Sequence, residues 1–152
     1  MKKLFIITFI LFLTSCDYTP IHNKSNIQNL NIEVVEMTGD MSFNNLLKKD
    51  LERSSSKESK KKYLISINTS FEKKDFAKDA TGKISNFELN LIGLFDVEFN
   101  GIKKSFTIEE KFFTNSLADK FEQKRYERTI KSNFVTSIKE KLIMKLIALN
   151  DN

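Results

Sequence analysis

The sequence predicts an α+β fold: a mostly antiparallel four-stranded sheet with two helices packed on one face, in the order β-α-β-β-β-α, closed by a long C-terminal helix. Three observations lead there. Apolar residues alternate with polar ones over Tyr63 to Phe71 and again over Phe87 to Phe99, the period of a strand with one buried face. Asn100-Gly101 follows at once, and this pair is the strongest two-residue hairpin signal. After Leu117 the apolar spacing changes to about four, through Phe121, Ile130, Phe134, Ile138, Leu142, Leu146 and Leu149, which is the period of a helix.

The chain has 152 residues, a length that suits a single domain, assigned here to residues 31–152. Two segments precede it. Met1-Lys2-Lys3 is a short basic start, and Leu4 to Leu13, LFIITFILFL, is an apolar run about half as long as a bilayer-spanning helix. This is the layout of a secretory signal. The run ends in Leu13-Thr14-Ser15-Cys16 rather than in a small-x-small site. That ending resembles the bacterial lipoprotein signal, in which residues 1–15 are removed and the Cys16 thiol carries lipid. A thiol is a good nucleophile at a membrane surface, and small neighbours leave room for the modifying enzymes. Several acyl chains anchor stably where one alone holds marginally. Residues 16–30, with Asn, Ser and the only Pro, read as an extended lipidated leader.

Asn31 to Met37, NIEVVEM, is short and β-branched, a first strand that Thr38-Gly39-Asp40 ends. A helix is predicted from Ser42, its expected cap, to about Leu51, with Phe43, Leu46, Leu47 and Leu51 on one side. Glu52 to Lys62 contains no apolar residue and is solvated. The second strand places Tyr63, Ile65, Ile67, Thr69 and Phe71 on one face, and Lys73 to Lys83 reads as a charged connection. In the third strand Phe87, Leu89, Leu91, Gly93, Phe95, Val97 and Phe99 share a face. Glu88, Asn90, Asp96 and Glu98 oppose them, and Ile92 and Leu94 interrupt the polar side. The return strand carries Ile102, Phe106, Ile108 and Phe112 at even positions. Ser116 is the expected cap of the last helix, with Asp119 three residues later as an approximate capping arrangement. Some 30 helical residues span about 45 Å, and their densely charged polar side excludes a membrane span.

Little of this suggests chemistry. The single Cys allows no internal disulfide, and one His (His22, in the leader) with no Trp leaves little for a metal site. No nucleophile stands in a motif with a base, no glycine-rich phosphate loop is present, and no paired metal-ligand spacing occurs. The expectation is a non-enzymatic protein with no cofactor beyond N-acyl and S-diacylglycerol lipid on Cys16, and no bound metal. The formal charge of +5 falls to +3 without Lys2 and Lys3, weak support for nucleic acid as a partner. Binding candidates are the clusters Lys60-Lys61-Lys62, Lys73, Lys74 and Lys78, then Lys83 and Lys103-Lys104. Clusters 60–62 and 73–78 are expected at opposite ends of one strand. Ammonium groups suit phosphates on a lipid headgroup. Ile92 and Leu94 are candidate partner contacts.

With Cys16 followed by Asp17-Tyr18-Thr19-Pro20-Ile21-His22, with the β-α-β-β-β-α order and with a long closing helix, the chain resembles the LPS-assembly lipoprotein family LptE, as a short, divergent bacterial member. Members often read Cys-Gly-aromatic-x-Pro-hydrophobic-aromatic after the lipobox, and the long central hairpin through Asp96 and Asn100-Gly101 is similar. The resemblance implies an outer-membrane lipoprotein that makes and breaks no bond. It would plug the lumen of an LptD-type β-barrel translocon, support that barrel's assembly and bind lipopolysaccharide. It implies lipopolysaccharide, the barrel and the membrane as partners, with the lysines above as candidate phosphate contacts. Asp17 stands where the family usually has Gly. In enteric bacteria Asp there resembles an inner-membrane retention signal, which keeps open an alternative: a periplasmic adaptor lipoprotein of another envelope complex.

Overall fold

The computed structural model describes residues 30–150. The signal, Cys16, Asp17, His22 and the leader up to residue 29 lie outside the described residues. Six elements follow in order: β1 (Asn31–Gly39), α1 (Met41–Ser54), β2 (Lys62–Lys78), β3 (Ile84–Phe99), β4 (Ile102–Asn115) and α2 (Lys120–Asn150). The four strands form one sheet in sequence order. β2–β3 and β3–β4 are antiparallel and β1–β2 is parallel. The sheet is therefore mostly antiparallel, as the sequence predicts, with one parallel pairing. That pairing follows from α1, because parallel neighbours need a crossover connection that a tight turn cannot supply.

Register brings the apolar alternation of neighbouring strands onto one face. Tyr63, Ile65, Ile67 and Phe71 stand beside Phe99, Val97, Phe95 and Leu91. Phe95 and Gly93 stand beside Phe106 and Ile108 of β4. Both helices lie on this side. α1 contributes Phe43, Leu47 and Leu51 to the core, and α2 contributes Ile130, Phe134, Val135, Ile138, Leu142, Ile143 and Leu146. Tyr63 is fully buried, stacks on Phe99 with ring centroids 4.3 Å apart, and donates its hydroxyl to the Leu146 carbonyl at 3.2 Å. Each such side chain contributes roughly 1.5–3 kcal/mol through removal from water. The β3–β4 turn has φ of 51° at Asn100 and 77° at Gly101, both positive as a two-residue hairpin of this type requires.

Three boundaries depart from the sequence reading. Asp40, and not Ser42, caps α1: its carboxylate accepts from the Phe43 N–H at 2.9 Å. Gly39, at φ +85°, makes the preceding turn, and a Cβ there would stand 1.8 Å from the Thr69 carbonyl oxygen. The supposed connection from Lys73 is strand as far as Lys78, because the β3 partners of those residues continue the ladder. In α2 the cap is Asp119, and not Ser116. Asp119 accepts from the N–H groups of Phe121 and Glu122, while Gln123 reaches back to accept from the Leu117 N–H at 2.8 Å. Leu117 precedes the helix, and Phe121 is 73% exposed on its first turn, so neither joins the core.

Candidate functional site

β1 ends at Gly39, opposite Thr69, whereas β2, β3 and β4 run on together through Lys78, Ile84 and Asn115. The sheet thus has a distal end of three strands, which α1 does not reach. The first half of α2 covers its inner face with polar contacts. Lys73 pairs with Glu127 at 2.5 Å and lies 3.7 Å over the Phe87 ring. Gln123 donates to the same Glu127 carboxylate at 2.8 Å.

Around this polar seam, large apolar side chains face outward. Phe76 is 60% and Phe113 53% exposed, and their rings meet at 4.7 Å across β3. Phe112 meets the half-exposed Tyr126 edge-on at 6.5 Å. A shallow groove of about 270 Å³ runs between Phe113, Leu117 and Tyr126. Cations lie at the same end of the fold, around the β2–β3 connection and on the first turns of α2. Among the described residues, Lys78, Lys83, Lys120, Lys124 and Arg125 make no ion pair, nor does Arg128, whose Nε donates to the Lys124 carbonyl. A second groove of about 380 Å³ is lined by Phe71, Lys124, Glu127, Arg128 and Lys131. Aromatic rings beside ammonium and guanidinium groups can take a molecule that is apolar at one end and anionic at the other.

The sequence-derived lysines do not converge on one site. Lys60, Lys61, Lys62, Lys103 and Lys104 lie at the proximal end of the sheet, and Lys73, Lys74, Lys78 and Lys83 at the distal end. Both groups reach into β2, and the 11-residue step from Lys62 to Lys73 along it spans roughly 35 Å at the usual strand rise. Some are already paired: Lys62 with Glu33 at 2.7 Å, Lys74 with Glu72 at 2.8 Å, and Lys103 with Glu98 at 3.5 Å. The bond to Glu72, with the neighbouring charges of Glu72 and Glu88, holds the Lys74 ammonium above its ordinary pKa, although burial opposes it slightly. Lys60, Lys61, Lys78, Lys83 and Lys104 make no ion pair among the described residues.

Sequence reasoning missed Lys120, Lys124, Arg125, Arg128, Phe76, Phe113 and Tyr126. The available signal was the interval between Phe121 and Ile130, where the apolar spacing of the last helix lapses and cations take over.

Ile92 and Leu94 lie on the open face of the sheet, with Leu94 exposed and Ile92 half-buried. Nearby, Val35 is thrown outward where the β1–β2 register shifts between Val34 and Glu36. Further along that face Asn90 is buried among its neighbours, with its side-chain oxygen unpartnered. Its amide contact, after the bond from Lys111, helps to keep the Glu109 carboxyl below its usual pKa. Among the described residues no group of acidic, His or Cys side chains has the arrangement of a metal site. No helix among them is long and apolar enough to cross a membrane.

No protein-family model and no curated protein sequence matches the chain. Solved structures do. The rare lipoprotein B of Shewanella oneidensis superposes with a TM-score of 0.59 at 13% identity, over 78% of this chain and 96% of that one. An uncharacterized lipoprotein B from Nitrosomonas europaea gives 0.58 at 14% identity, over 82% and 89%. At such identities the likeness is one of fold: this β-α-β-β-β-α arrangement is shared with bacterial lipoproteins over nearly their whole described length.

Proposed function

We propose that the chain is a non-enzymatic lipoprotein, anchored through acylated Cys16 in the outer membrane. In this reading it plugs and helps assemble an LptD-type β-barrel translocon, and its distal end binds lipopolysaccharide. The observation that carries the reading is the distal end itself, where Phe76, Phe113 and Tyr126 stand exposed among Lys78, Lys83 and Lys124. Acyl chains would meet the rings and phosphates the cations. The fold shared with bacterial lipoproteins and the lipobox-like LTSC support the anchor.

Two measurements test this. The acylated protein should co-purify with a large outer-membrane barrel; recovery from intact membranes as a barrel-free monomer sinks the plug. Replacing Lys78, Lys83 and Lys124 together by Ser should weaken lipopolysaccharide binding at least tenfold, and unchanged affinity rejects the distal site. Fractionation of wild type beside Asp17→Gly decides the membrane, with the outer membrane expected for both.

A second reading, an adaptor of another envelope complex, draws on the exposed Leu94 and Val35 of the open face. It predicts normal lipopolysaccharide export after depletion.

A further inference from the structure

The two edges of the sheet are finished differently. β1 is nine residues long and bulged at Val35. The chain's own loop covers its start: the Ile32 N–H donates to Ser55 Oγ at 2.8 Å, and the Ser56 N–H donates to the Leu30 carbonyl at 2.9 Å. β4 is 14 residues long and pairs with β3 without a single register shift. Among the described residues, no backbone group from outside the sheet bonds to its outer side. It contains no proline. A regular edge of this kind presents alternate N–H and C=O groups, on about seven of its residues, to another strand.

Charged side chains commonly guard such edges, and here most are engaged in ion pairs of this chain's own, of which only Glu110 is turned inward. Lys103 turns to Glu98 and Lys111 to Glu109, while Glu110 is held by Lys141 at 2.7 Å and by Ser137 at 2.5 Å. Beside the edge, a groove of about 490 Å³ separates β4 from α2, with Ile108 at its floor and Met144, Lys145 and Ala148 on its helical wall. Met144 is more than half exposed there. Lys145 lies over the Phe106 ring and, like Lys104, makes no ion pair among the described residues. Glu109 and Glu110 of this edge each have a cation, which leaves the unpaired Lys104 and Lys145 as its surplus charge.

We infer that β4 is a strand-addition site, which takes an extended, acidic segment of the barrel partner as a fifth strand. The segment's apolar side chains would lie beside Ile108 and under Met144, and its carboxylates would meet Lys104 and Lys145. Main-chain bonds supply affinity in this mode and alternate side-chain pockets supply selectivity. A second copy of this chain fits less well. A two-fold pairing of β4 with itself would bring the α2 walls of the two copies together, each carrying the unpaired Lys145.

The inference rests on the translocon-plug reading, and hydrogen exchange separates the two. Amide exchange is measured on the full lipidated chain alone and in its purified complex with the barrel. Alternate β4 amides between Lys103 and Phe113 should exchange at least tenfold more slowly in the complex, while those of β1 from Ile32 to Thr38 should not change. A complex without β4 protection overturns strand addition and leaves the plug standing. Protection that appears in the isolated chain and grows with its concentration assigns the edge to a second copy, and also overturns it. If no complex forms, both readings fall. Lys104→Glu with Lys145→Glu, both on exposed positions, should weaken the complex at least tenfold while leaving the unfolding midpoint in urea unchanged. Unaltered recovery of the complex contradicts the acidic character assigned to the segment.

Discussion

The proximal and distal ends of the sheet use the same strands for opposite purposes. Proximally, two helices seal the inner face, and Tyr63, Phe43, Phe95 and Ile138 are shut away from water. Distally, a single helix crosses the face on charged and amide groups, and the large rings turn outward. Aromatic content is similar, but the surroundings differ. The difference teaches that the phenylalanines of this chain fall into two populations, one that holds the fold and one that the fold displays. Truncations separate them most sharply. Ile138→Ala should cost about 3–4 kcal/mol, because the cavity it leaves under α2, in the fully buried core, cannot collapse. Phe95→Ala belongs to the same class. Urea unfolding of the full chain measures both, and a loss under about 1 kcal/mol at Ile138 would remove it from the core.

The joint between the two ends is the next place to break. Gly39 ends β1, and the turn behind it lets α1 begin at Met41. Any Cβ at position 39 meets the Thr69 carbonyl oxygen at 1.8 Å and inherits φ +85°. Thr69 cannot yield easily, since its hydroxyl donates to Asn44 Oδ1 at 2.7 Å and Asn44 donates in turn to the Thr38 carbonyl at 2.7 Å. Gly39→Ala should therefore destabilise by about 2 kcal/mol or more. A neutral result would mean that the buried Asn44 network shifts as a unit, visible as a changed Asn44 side-chain resonance.

The same joint carries a pH signature. Burial works against the Asp40 charge, but the hydrogen bond from Lys131, the Phe43 N–H, the attraction of the Lys131 ammonium and the Ser42 N–H outweigh it, and the carboxyl stays below its ordinary pKa of 3.8. Lys131 reaches it at 2.7 Å from α2. A depressed folded-state pKa stabilises fully above the ordinary value and is lost as pH falls through the folded one. Asp40→Asn should thus cost about 1 kcal/mol at pH 7, the usual scale of a cap, and the gap to wild type should close as pH drops below 3.8. A gap that persists at pH 2 would assign the effect to packing.

The proximal end was legible in the sequence because burial on one face writes a strict period. Leu91 to Phe99 and Ile130 to Leu146 could hardly be read otherwise, and Asn100-Gly101 fixed the hairpin. The distal end was illegible for the complementary reason. Lys73 to Lys78 has the composition of a loop, yet it is strand, because β3 supplies backbone partners and Lys73 is neutralised by Glu127, 54 residues away. No local pattern encodes a contact at that separation. Both misplaced caps share a cause: Ser42 and Ser116 are good capping residues by type, but Asp40 and Asp119 lie where the backbone turns into the helix. The division of the candidate lysines between two ends was legible for clusters 60–62 and 73–78, because an alternating strand lies between them.

The smallest effect expected on the fold is the one that tests its display. Phe76 and Phe113 lie two strands apart on the open face, touching only across β3, and water already reaches more than half of each ring. Pairs of this kind contribute roughly 0.2–1 kcal/mol. Phe76→Ser with Phe113→Ser should therefore move the urea midpoint little. Binding of lipopolysaccharide should fall tenfold or more, because the acyl chains lose the paired exposed rings at the end of the sheet that holds Lys78 and Lys83. The two readouts must part company for the comparison to hold. A stability loss near 3 kcal/mol would mean that the distal rings belong to a core. Unchanged binding at unchanged stability would mean that their exposure serves something other than the amphiphile.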